Sequence, residues 1–398
     1  MAVLQPDPKI NAFLPRIPES PQKHNMSKHF HTIPVKSIIR ETPDTVTLSF
    51  DVPPSLQQTF QYVCGQYLTI KAHIGGQDVR RAYSMCSSPH DTDIAVTVKR
   101  VDGGKMSNYL ADQIRPGSTL EVMPPDGRFT PRLDADKQHT YYLIGAGSGI
   151  TPLMSILRTV LEDEPRSKVH LLYGSRHDDG IIFKTKLDEL SRRYAGQFTV
   201  DYLVSQPRVE KKGGLMGMFS RGKVNWTGET GRIDSRRLGK FMDDYPSATE
   251  AHYYICGPGQ MIDSAEQYLK SKGIDKKHIH SERFLNAGQS NQTVATGGGE
   301  TPSVHAGGAA AVIELDGRTI ETTIPEGKTI LDALLDQKHE PPYSCTSGAC
   351  STCMAKLKSG TVKMDACYAL DDDEVEEGYI LTCQARPTSA TVDLTFEV

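Results

Sequence analysis

The sequence predicts a multidomain protein with an antiparallel β-barrel or sandwich, an α/β domain with a parallel sheet, and a small α+β domain. Three observations predict it: short strand-like runs between turns, then strands alternating with helices, then a glycine-rich tether before a cysteine-rich end. At roughly 100 to 200 residues per domain, a chain of 398 residues gives each domain enough length for its own core.

Composition excludes several classes of protein. The formal net charge is −4, so no basic surplus indicates a nucleic-acid or anionic-membrane partner. No apolar run approaches the roughly 18 to 20 residues of a spanning helix, and the N-terminus lacks the charged-then-apolar pattern of a signal peptide. We therefore expect a cytoplasmic protein with no nucleic-acid partner and no membrane insertion.

The first third of the chain predicts the barrel. Residues 1–28 contain five prolines without sustained periodicity, and we expect a disordered N-terminal extension there. Residues 29–131 then carry β-rich runs at 45–52, 66–74 and 94–101, separated by Gly, Pro and Asp turns. Several short strands at this spacing favour a small antiparallel barrel or sandwich.

The middle of the chain, residues 132–284, predicts the α/β domain. Buried-strand runs at 140–147, 169–176 and 251–259 have Gly or Ser at or next to their ends, and a helix-like segment follows each. This alternation indicates a parallel sheet with helices on both faces, an architecture that suits nucleotide binding. One stretch, 206–230, interrupts the pattern as a long insertion that is either disordered or contacts a partner.

A flexible linker is predicted at 285–310, where Gly, Ala, Ser, Thr and Gln dominate. Residues 311–398 then form the last domain, with a hairpin-like segment, a short helix, a cysteine loop and a closing strand. The linker thus separates two functional bodies.

Four cysteines near the end have the spacing of an iron–sulfur site: Cys345-x4-Cys350-x2-Cys353, and Cys383 after 29 intervening residues. This is the plant-type [2Fe–2S] pattern, in which two thiolates and two bridging sulfides complete the tetrahedron around each iron. A structural zinc site is the alternative, but zinc more usually takes two short cysteine pairs. Cys367 lies outside the pattern and is interpreted as a buried thiol that binds no metal.

The histidines, including His170 and His252, show no ligand spacing, and we interpret them as structural or exposed.

A glycine-rich turn at 145–152 lies directly between a predicted strand and a predicted helix. Such a turn lets the backbone approach a pyrophosphate while the helix N-terminus supplies aligned amides. The glycine spacing is not G-x-G-x-x-G, so the nucleotide-binding prediction rests on the position of the turn between a strand and a helix. The candidate cofactor-binding residues are Gly145, Gly147, Gly149, Thr151 and Pro152.

Ser175 and Arg176 stand at the tip of the next strand, where an acidic residue would hold a ribose 2′-hydroxyl. A hydroxyl and an arginine instead suit a 2′-phosphate, which favours NADPH as donor while NADH stays possible. The alternative is that Arg176 is a solvated surface charge.

Four segments in this order, 81–84 (RAYS), 104–108 (GKMSN), 145–152 and 256–261 (CGPGQM), resemble the ferredoxin–NADP reductase superfamily. With a plant-type ferredoxin domain after them, residues 30–398 are similar to reductase components of bacterial multicomponent oxygenases. Within that family the resemblance is to the phenylacetyl-CoA epoxidase reductases, with 3-ketosteroid 9α-hydroxylase reductases a near relation. It implies FAD in the barrel and a β-grasp ferredoxin-like fold for the last domain.

The resemblance implies roles for residues along the flavin. Arg81 would pair with its phosphate, Tyr83 would pack against the isoalloxazine, and Ser84 would hydrogen-bond near N5. An arginine suits an anion, an aromatic ring suits a planar one, and a hydroxyl suits an atom that gains hydrogen. Each residue taken alone has an alternative as an ordinary strand residue.

The resemblance also implies pyrophosphate and nicotinamide contacts. In the segment Gly104-Lys105-Met106-Ser107, the amides of Met106 and Ser107 would hold the pyrophosphate, which favours FAD over FMN, unless this is simply a capped surface helix. Cys256, followed by Gly257 and Pro258, would lie beside the nicotinamide, and Glu282 would approach the same region. The alternatives are strand-end packing for Cys256 and a salt-bridged carboxylate for Glu282. The three implied catalytic residues are Ser84, Cys256 and Glu282.

The implied function is an electron-transfer reductase that passes electrons from NAD(P)H through FAD and the [2Fe–2S] cluster to a di-iron or Rieske oxygenase. Alternatives are a desaturase reductase and, in another class, a redox-sensing iron–sulfur module. The acidic run 371–377 has two interpretations: it steers the ferredoxin surface toward a basic partner, or it is a solvated turn.

Overall fold

The computed structural model describes residues 29–210, 223–284 and 308–398. The expected disordered extension (1–28), residues 211–222 of the insertion and residues 285–307 of the linker lie outside the described residues. Within the described ranges, no helix is long and apolar enough to cross a membrane.

The first body is an antiparallel barrel with one helix at its rim. Its elements are β1 (His31–Thr42), β2 (Thr45–Phe50), β3 (Tyr67–Ile74), β4 (Gln77–Ser84), β5 (Ile94–Lys99), α1 (Lys105–Asp112) and β6 (Thr119–Val122). The strands are ordered β4-β3-β6-β1-β2-β5. A bridge between Met85 and Val96 joins the end of β4 to β5 and closes the sheet. Because the sheet closes on itself, the architecture is the predicted barrel and not the sandwich.

The second body is a six-stranded parallel sheet with helices on both faces. Its elements are β7 (His139–Ala146), α2 (Ile150–Asp163), β8 (Lys168–Ser175), α3 (Lys184–Arg193), β9 (Phe198–Val204), β10 (Val209–Glu210), β11 (Lys223–Val224), β12 (Glu229–Thr230), α4 (Ser235–Asp244), β13 (Glu250–Gly257), α5 (Gly259–Ser271) and β14 (Ile279–Arg283). The sheet order is β12-β9-β8-β7-β13-β14. Helices α2 and α3 pack on one face, and α4 and α5 pack on the other. This topology confirms the predicted α/β architecture and brings the ends of β7, β8 and β13 to one edge.

The described ends of the insertion are not a plain loop. Strands β10 and β11 pair antiparallel, and β12 extends the main sheet beside β9. Trp226 packs against the hydrophobic core and its indole Nε1 donates to the carbonyl of Glu229 at 3.0 Å. Helix α4 was not predicted from the sequence, although Asp234 is an ordinary N-cap that accepts from the amide of Arg237.

The third body is a β-grasp-like α+β domain. Its elements are β15 (Ala309–Leu315), β16 (Arg318–Ile324), α6 (Ile330–Asp336), β17 (Met354–Ser359), β18 (Val362–Met364), α7 (Asp372–Glu376), β19 (Tyr379–Leu381), β20 (Ala385–Pro387) and β21 (Thr391–Thr395). The main sheet has the order β16-β15-β21-β17-β19, with α6 packed into the same core. The linker prediction extended to residue 310, whereas β15 begins at Ala309. Alternating burial of Ala309, Ala311 and Ile313 explains why this small-residue segment is a strand.

Candidate functional site

Ser84, Cys256 and Glu282, the three residues expected near hydride transfer, meet where the barrel touches the parallel sheet. Ser84 ends β4, and its hydroxyl donates to Oε2 of Glu282 at 3.1 Å. Glu282 lies in β14 in register with the fully buried Cys256 of β13. The structure therefore brings together side chains from two bodies and from positions 198 residues apart.

Burial determines the protonation states of Glu282 and Cys256. It raises the pKa of Glu282 to about 7, against the smaller opposite effect of the hydrogen bond from Ser84. Burial, and to a lesser degree the nearby Glu282, also raises the pKa of the Cys256 thiol well above its usual range. Cys256 is thus a neutral thiol, and Glu282 is the group of this site that titrates near neutral pH.

The candidate flavin residues lie in the second half of strand β4. Arg81 pairs in register with Ile70 and Tyr83 with Leu68, and the guanidinium of Arg81 donates to the carbonyl of Arg80 at 2.7 Å. Burial raises the pKa of the Tyr83 phenol. This strand offers a cation, a ring and a hydroxyl in sequence, a donor set that fits a flavin nucleotide.

The start of α1 fits an anionic group. Gly104 precedes the helix, and among the described residues no side chain caps its N-terminus. Ser107 is buried and its Oγ accepts from the amide of Val101 at 3.1 Å, and Oγ lies 2.6 Å from where a Cβ on Gly104 would be. Met106 is buried, while Lys105 donates to the side chain of Gln77 at 2.8 Å. The hydroxyl is therefore engaged within the chain, and the helix amides carry the fit to a pyrophosphate.

The glycine-rich turn follows β7 as a 3-10 turn, and α2 begins at Ile150. A Cβ on Gly149 would lie 2.0 Å from the carbonyl oxygen of Cys256, and one on Gly145 would lie 2.6 Å from Leu153. Gly147 has φ of +57°, which favours glycine. The glycines thus let β7 and α2 approach β13 closely.

The other two candidates in the turn belong to α2 itself. Thr151 donates its hydroxyl to the carbonyl of Ser148, and both Thr151 and Pro152 are buried in the helix. Their side chains therefore shape the turn.

The strand tip at Ser175 is partly engaged within the chain. The Ser175 hydroxyl is buried and donates to the carbonyl of His177 at 2.8 Å. Arg176 is exposed, and its Nε donates to the side chain of Gln206 at 3.0 Å. Gly257 and Pro258 connect β13 to α5 beside this edge.

The four motif cysteines form two adjacent pairs. Cys345 interacts with Cys350, and Cys353 with Cys383; all four are free thiols, and only Cys345 is not fully buried. Hydrogen bonds from Cys350 and from the Ser347 amide lower the pKa of Cys345 below its usual range. Two adjacent pairs of sulfur ligands, three from the loop before β17 and one from the segment after β19, fit the two irons of a [2Fe–2S] cluster. Cys367 is half-buried against the domain core, and desolvation raises its pKa to about 11.

A buried hydrogen bond connects the cysteine loop to the barrel. The hydroxyls of Tyr67 and Thr352 lie 2.8 Å apart, with the two residues 3% and 1% exposed. Thr352 in turn lies 3.5 Å from the sulfur of Cys350, and Tyr67 pairs in register with Ser84. Neither Tyr67 nor Thr352 was predicted from the sequence, since nothing local in 66–74 or in the cysteine loop indicates a contact across 285 positions.

Two cation–π contacts add to this interface. The guanidinium of Arg80 lies 4.1 Å from the ring centre of Tyr343, and that of Arg283 lies 5.3 Å from that of Tyr368. Each such contact contributes on the order of 0.5–1 kcal/mol at partly exposed sites. Both arginines neighbour candidate site residues, so the ferredoxin-like domain packs directly beside the site.

The acidic run is partly paired within the chain. Asp372 lies 2.9 Å from Lys276, and Glu374 contacts Arg128; both acids are in α7. The ion pair raises the pKa of Lys276 and lowers that of Asp372. The run is therefore more than a solvated turn, because two of its carboxylates contact residues of the first and second bodies.

Three protein-family models match the chain in the order of the three bodies. They are an oxidoreductase FAD-binding domain (32–130), an oxidoreductase NAD-binding domain (143–267) and a 2Fe-2S iron-sulfur cluster binding domain (313–388).

Similar curated proteins extend over nearly the whole chain. A subunit of the 1,2-phenylacetyl-CoA epoxidase of Escherichia coli is 37% identical, over 92% of this chain and 98% of that protein. The 3-ketosteroid-9-alpha-monooxygenase ferredoxin reductase component of Rhodococcus rhodochrous is 35% identical, over 91% and 95%. Among solved structures, phthalate dioxygenase reductase has a TM-score of 0.53 at 23% identity, covering 92% of this chain and 98% of its own. That structure supports the fold alone.

Proposed function

The chain belongs to the family of modular oxidoreductases that join FAD-binding, NAD-binding and C-terminal [2Fe–2S] domains, and on this premise we propose that it carries electrons from NADPH to an oxygenase. The observation that carries the proposal is the buried contact between Tyr67 and Thr352, which joins the candidate flavin site to the cluster loop. A flavin supplies the step between a hydride donor and a cluster that accepts single electrons.

The site at Ser84, Cys256 and Glu282 would align the nicotinamide with the flavin. Ser84 would present its hydroxyl oxygen to the flavin, and the hydrogen bond that it donates to Glu282 fixes the orientation of that hydroxyl. The neutral, fully buried Cys256 supplies a compact apolar wall. These residues orient two rings and exclude water, while the cofactors supply the electron chemistry.

The flavin would lie along β4. Arg81 would bind its phosphate, Tyr83 would pack on its ring system, and the amides of Met106 and Ser107 would bind the pyrophosphate. The uncapped start of α1 supports this assignment, because free amides and the helix dipole favour an anion there. A pyrophosphate contact in turn supports FAD.

NADPH is the proposed donor because the exposed guanidinium of Arg176 lies where β8 ends beside the glycine-rich turn. An arginine binds a phosphate dianion through charge-assisted hydrogen bonds. The turn at 145–152 would receive the pyrophosphate of the same nucleotide.

The proposed acceptor is an oxygenase component of the phenylacetyl-CoA epoxidase type, with a di-iron centre. The extent of the similarity to the Escherichia coli epoxidase protein supports it. A Rieske acceptor of the 3-ketosteroid type is the second candidate, which the Rhodococcus relative favours. All eight cysteines lie within the described ranges and none of them is in a disulfide, which agrees with a cytoplasmic setting.

We further propose that the carboxylates of α7 leave their salt bridges within this chain and contact the oxygenase instead. Lys276 and Arg128 hold the acidic helix against the first two bodies through salt bridges to its carboxylates. These salt bridges are solvent-accessible and therefore weak, about 0–1 kcal/mol each. A basic patch on the acceptor could compete for the same carboxylates once the ferredoxin-like domain separates.

The first experiment separates the modules. Cys350→Ser in the full-length protein is expected to abolish cytochrome c reduction by NADPH while ferricyanide reduction, which the flavin performs directly, continues. Cys367→Ser serves as the control, because Cys367 lies outside the ligand pattern. Equal loss of both activities in Cys350→Ser would contradict the proposed order of transfer.

The second experiment identifies the acceptor. The reductase is combined with the purified oxygenase component of a phenylacetyl-CoA epoxidase, or with a purified 3-ketosteroid Rieske oxygenase, and product formation is measured with NADPH. We expect turnover with the epoxidase. Turnover with the Rieske oxygenase alone favours the second candidate, and turnover with neither, despite cytochrome c reduction, rejects both.

A further inference from the structure

A cluster of histidines and a glutamate lies at the amino ends of the parallel strands, opposite the glycine-rich turn. His139 begins β7, Glu250 begins β13 in register with it, and His252 follows two residues later on the same face. The potential ligand atoms of these three residues all lie within 4.8 Å of one another. Zinc sites with one open coordination position commonly have three protein ligands of this kind.

A buried carboxylate orients the first of these histidines. Glu164 has a fully buried side chain that accepts from the hydroxyls of Ser167 at 2.6 Å and Tyr141 at 3.0 Å. Its Oε2 also lies 3.4 Å from Nδ1 of His139. Since Nδ1 faces this carboxylate, Nε2 of His139 points toward Glu250, 3.9 Å away. A carboxylate behind the remote nitrogen is the usual support of a metal-binding histidine.

Glu250 has a support of its own. Nε2 of His278 lies 2.9 Å from Oε1 of Glu250, which leaves Oε2 on the side of His139. The ring of His252 lies between the other two, with centroids 5.1 Å from that of His139 and 5.2 Å from that of His278. The Glu250 side chain is 55% exposed, so it can shift toward an ion and solvent can reach the site.

We propose that His139, Glu250 and His252 bind one Zn²⁺ ion, with Glu164 and His278 as hydrogen-bonding supports and water in the fourth position. Imidazole nitrogens with one carboxylate suit zinc, whereas calcium and magnesium prefer oxygen ligands alone. The ligand atoms need to approach by about 1 Å to reach metal–ligand distances of about 2.0–2.2 Å. The proposed site is far from the four cysteines in sequence and does not depend on the function proposed above.

Zinc at this position connects the beginnings of β7 and β13, two neighbouring strands inside the sheet. Binding to the folded protein alone stabilises it by mass action. The melting temperature of the wild-type protein is therefore expected to rise with added zinc.

The test uses the full-length holoprotein after EDTA treatment and desalting. ZnCl₂ is titrated calorimetrically, and zinc and iron per chain are measured by mass spectrometry on the same sample. Wild type is expected to bind about one zinc with micromolar or tighter Kd and to keep its iron. Glu250→Gln and His252→Asn are expected to weaken binding about tenfold or more. His73→Asn, which alters an exposed histidine paired with Asp78, is the matched control and is expected to bind zinc as wild type does.

Glu250→Gln changes an exposed side chain, so it tests the site even if His252→Asn disturbs folding. Three outcomes overturn the proposal: absence of saturable zinc binding, wild-type Kd in both variants, or zinc uptake matched by loss of iron. The last would place the zinc at the cysteines.

Discussion

Glu282 offers the sharpest single test of the proposed site. Its carboxylate accepts a 3.1 Å hydrogen bond from Ser84 and lies beside Cys256 in register. The perturbation is Glu282→Gln, which keeps the shape and removes the ionisable group. Glu266→Gln is the matched control, since Glu266 accepts from Ser281 of the same strand at 2.6 Å.

The magnitude follows from the burial of this carboxylate. Burial raises its pKa from 4.5 to about 7, a difference of about 3 kcal/mol between its two protonation states. The carboxylate is therefore mostly neutral at pH 6 and mostly charged at pH 8. Negative charge beside a nicotinamide favours a transition state in which positive charge develops on that ring.

The assay is the rate constant of flavin bleaching by NADPH, measured anaerobically by stopped flow between pH 5.5 and 8.5. We expect the wild-type rate constant to rise with pH through an apparent pKa near 7. Glu282→Gln should show no such rise and should stay about tenfold or more below the wild-type plateau, because the variant lacks the negative charge that favours the transition state; a tenfold loss corresponds to about 1.4 kcal/mol. Glu266→Gln should follow the wild-type curve.

A rise of the same size in Glu282→Gln would refute the assignment, because another group would then titrate. Stability gives an independent reading. A raised carboxyl pKa means that the protonated form is favoured in the fold, so this contribution is complete below pH 4.5 and is lost as the pH rises through about 7. The melting temperature of Glu282→Gln relative to wild type should therefore increase from pH 5 to pH 8, and an unchanged difference would contradict the burial argument.

Three further variants test other contacts. Tyr67→Phe removes the buried hydroxyl that joins the barrel to the cysteine loop, worth about 0.5–1.5 kcal/mol, and should lower cytochrome c reduction about two- to tenfold with ferricyanide reduction unchanged; equal effects on both would place the defect in the flavin site. Gly149→Ala places a Cβ 2.0 Å from the Cys256 carbonyl oxygen and should raise the KM for NADPH and destabilise the protein by about 1–3 kcal/mol, whereas Gly180→Ala, with 3.5 Å to its nearest neighbour, should not. Arg176→Asp should raise the KM for NADPH and leave that for NADH nearly unchanged, and unchanged NADPH kinetics would count against the proposed donor.

Local sequence patterns were sufficient to predict structure where the residues concerned are neighbours in the chain. The spacing of Cys345, Cys350 and Cys353 predicts a cluster loop, because in the plant-type pattern one short loop supplies three of the four ligands. The strand, turn and helix around 145–152 are likewise readable, since burial periodicity and glycine belong to contiguous residues. The boundary at residue 310 was wrong because two alanines resemble tether composition, and only pairing with a neighbouring strand shows that they belong to a sheet.

Periodicity and spacing within short segments were enough to predict the order of the three bodies and the parallel and antiparallel character of their sheets. The contacts of Ser84 with Glu282 and of Tyr67 with Thr352 arise from the packing of the folded domains alone. Folding also gathers His139, Glu250 and His252 at one sheet edge, although their spacing in the chain suggests no ligand set. The physical reason is that strand order and domain packing determine which distant residues become neighbours, and neither is encoded in any single stretch of the chain.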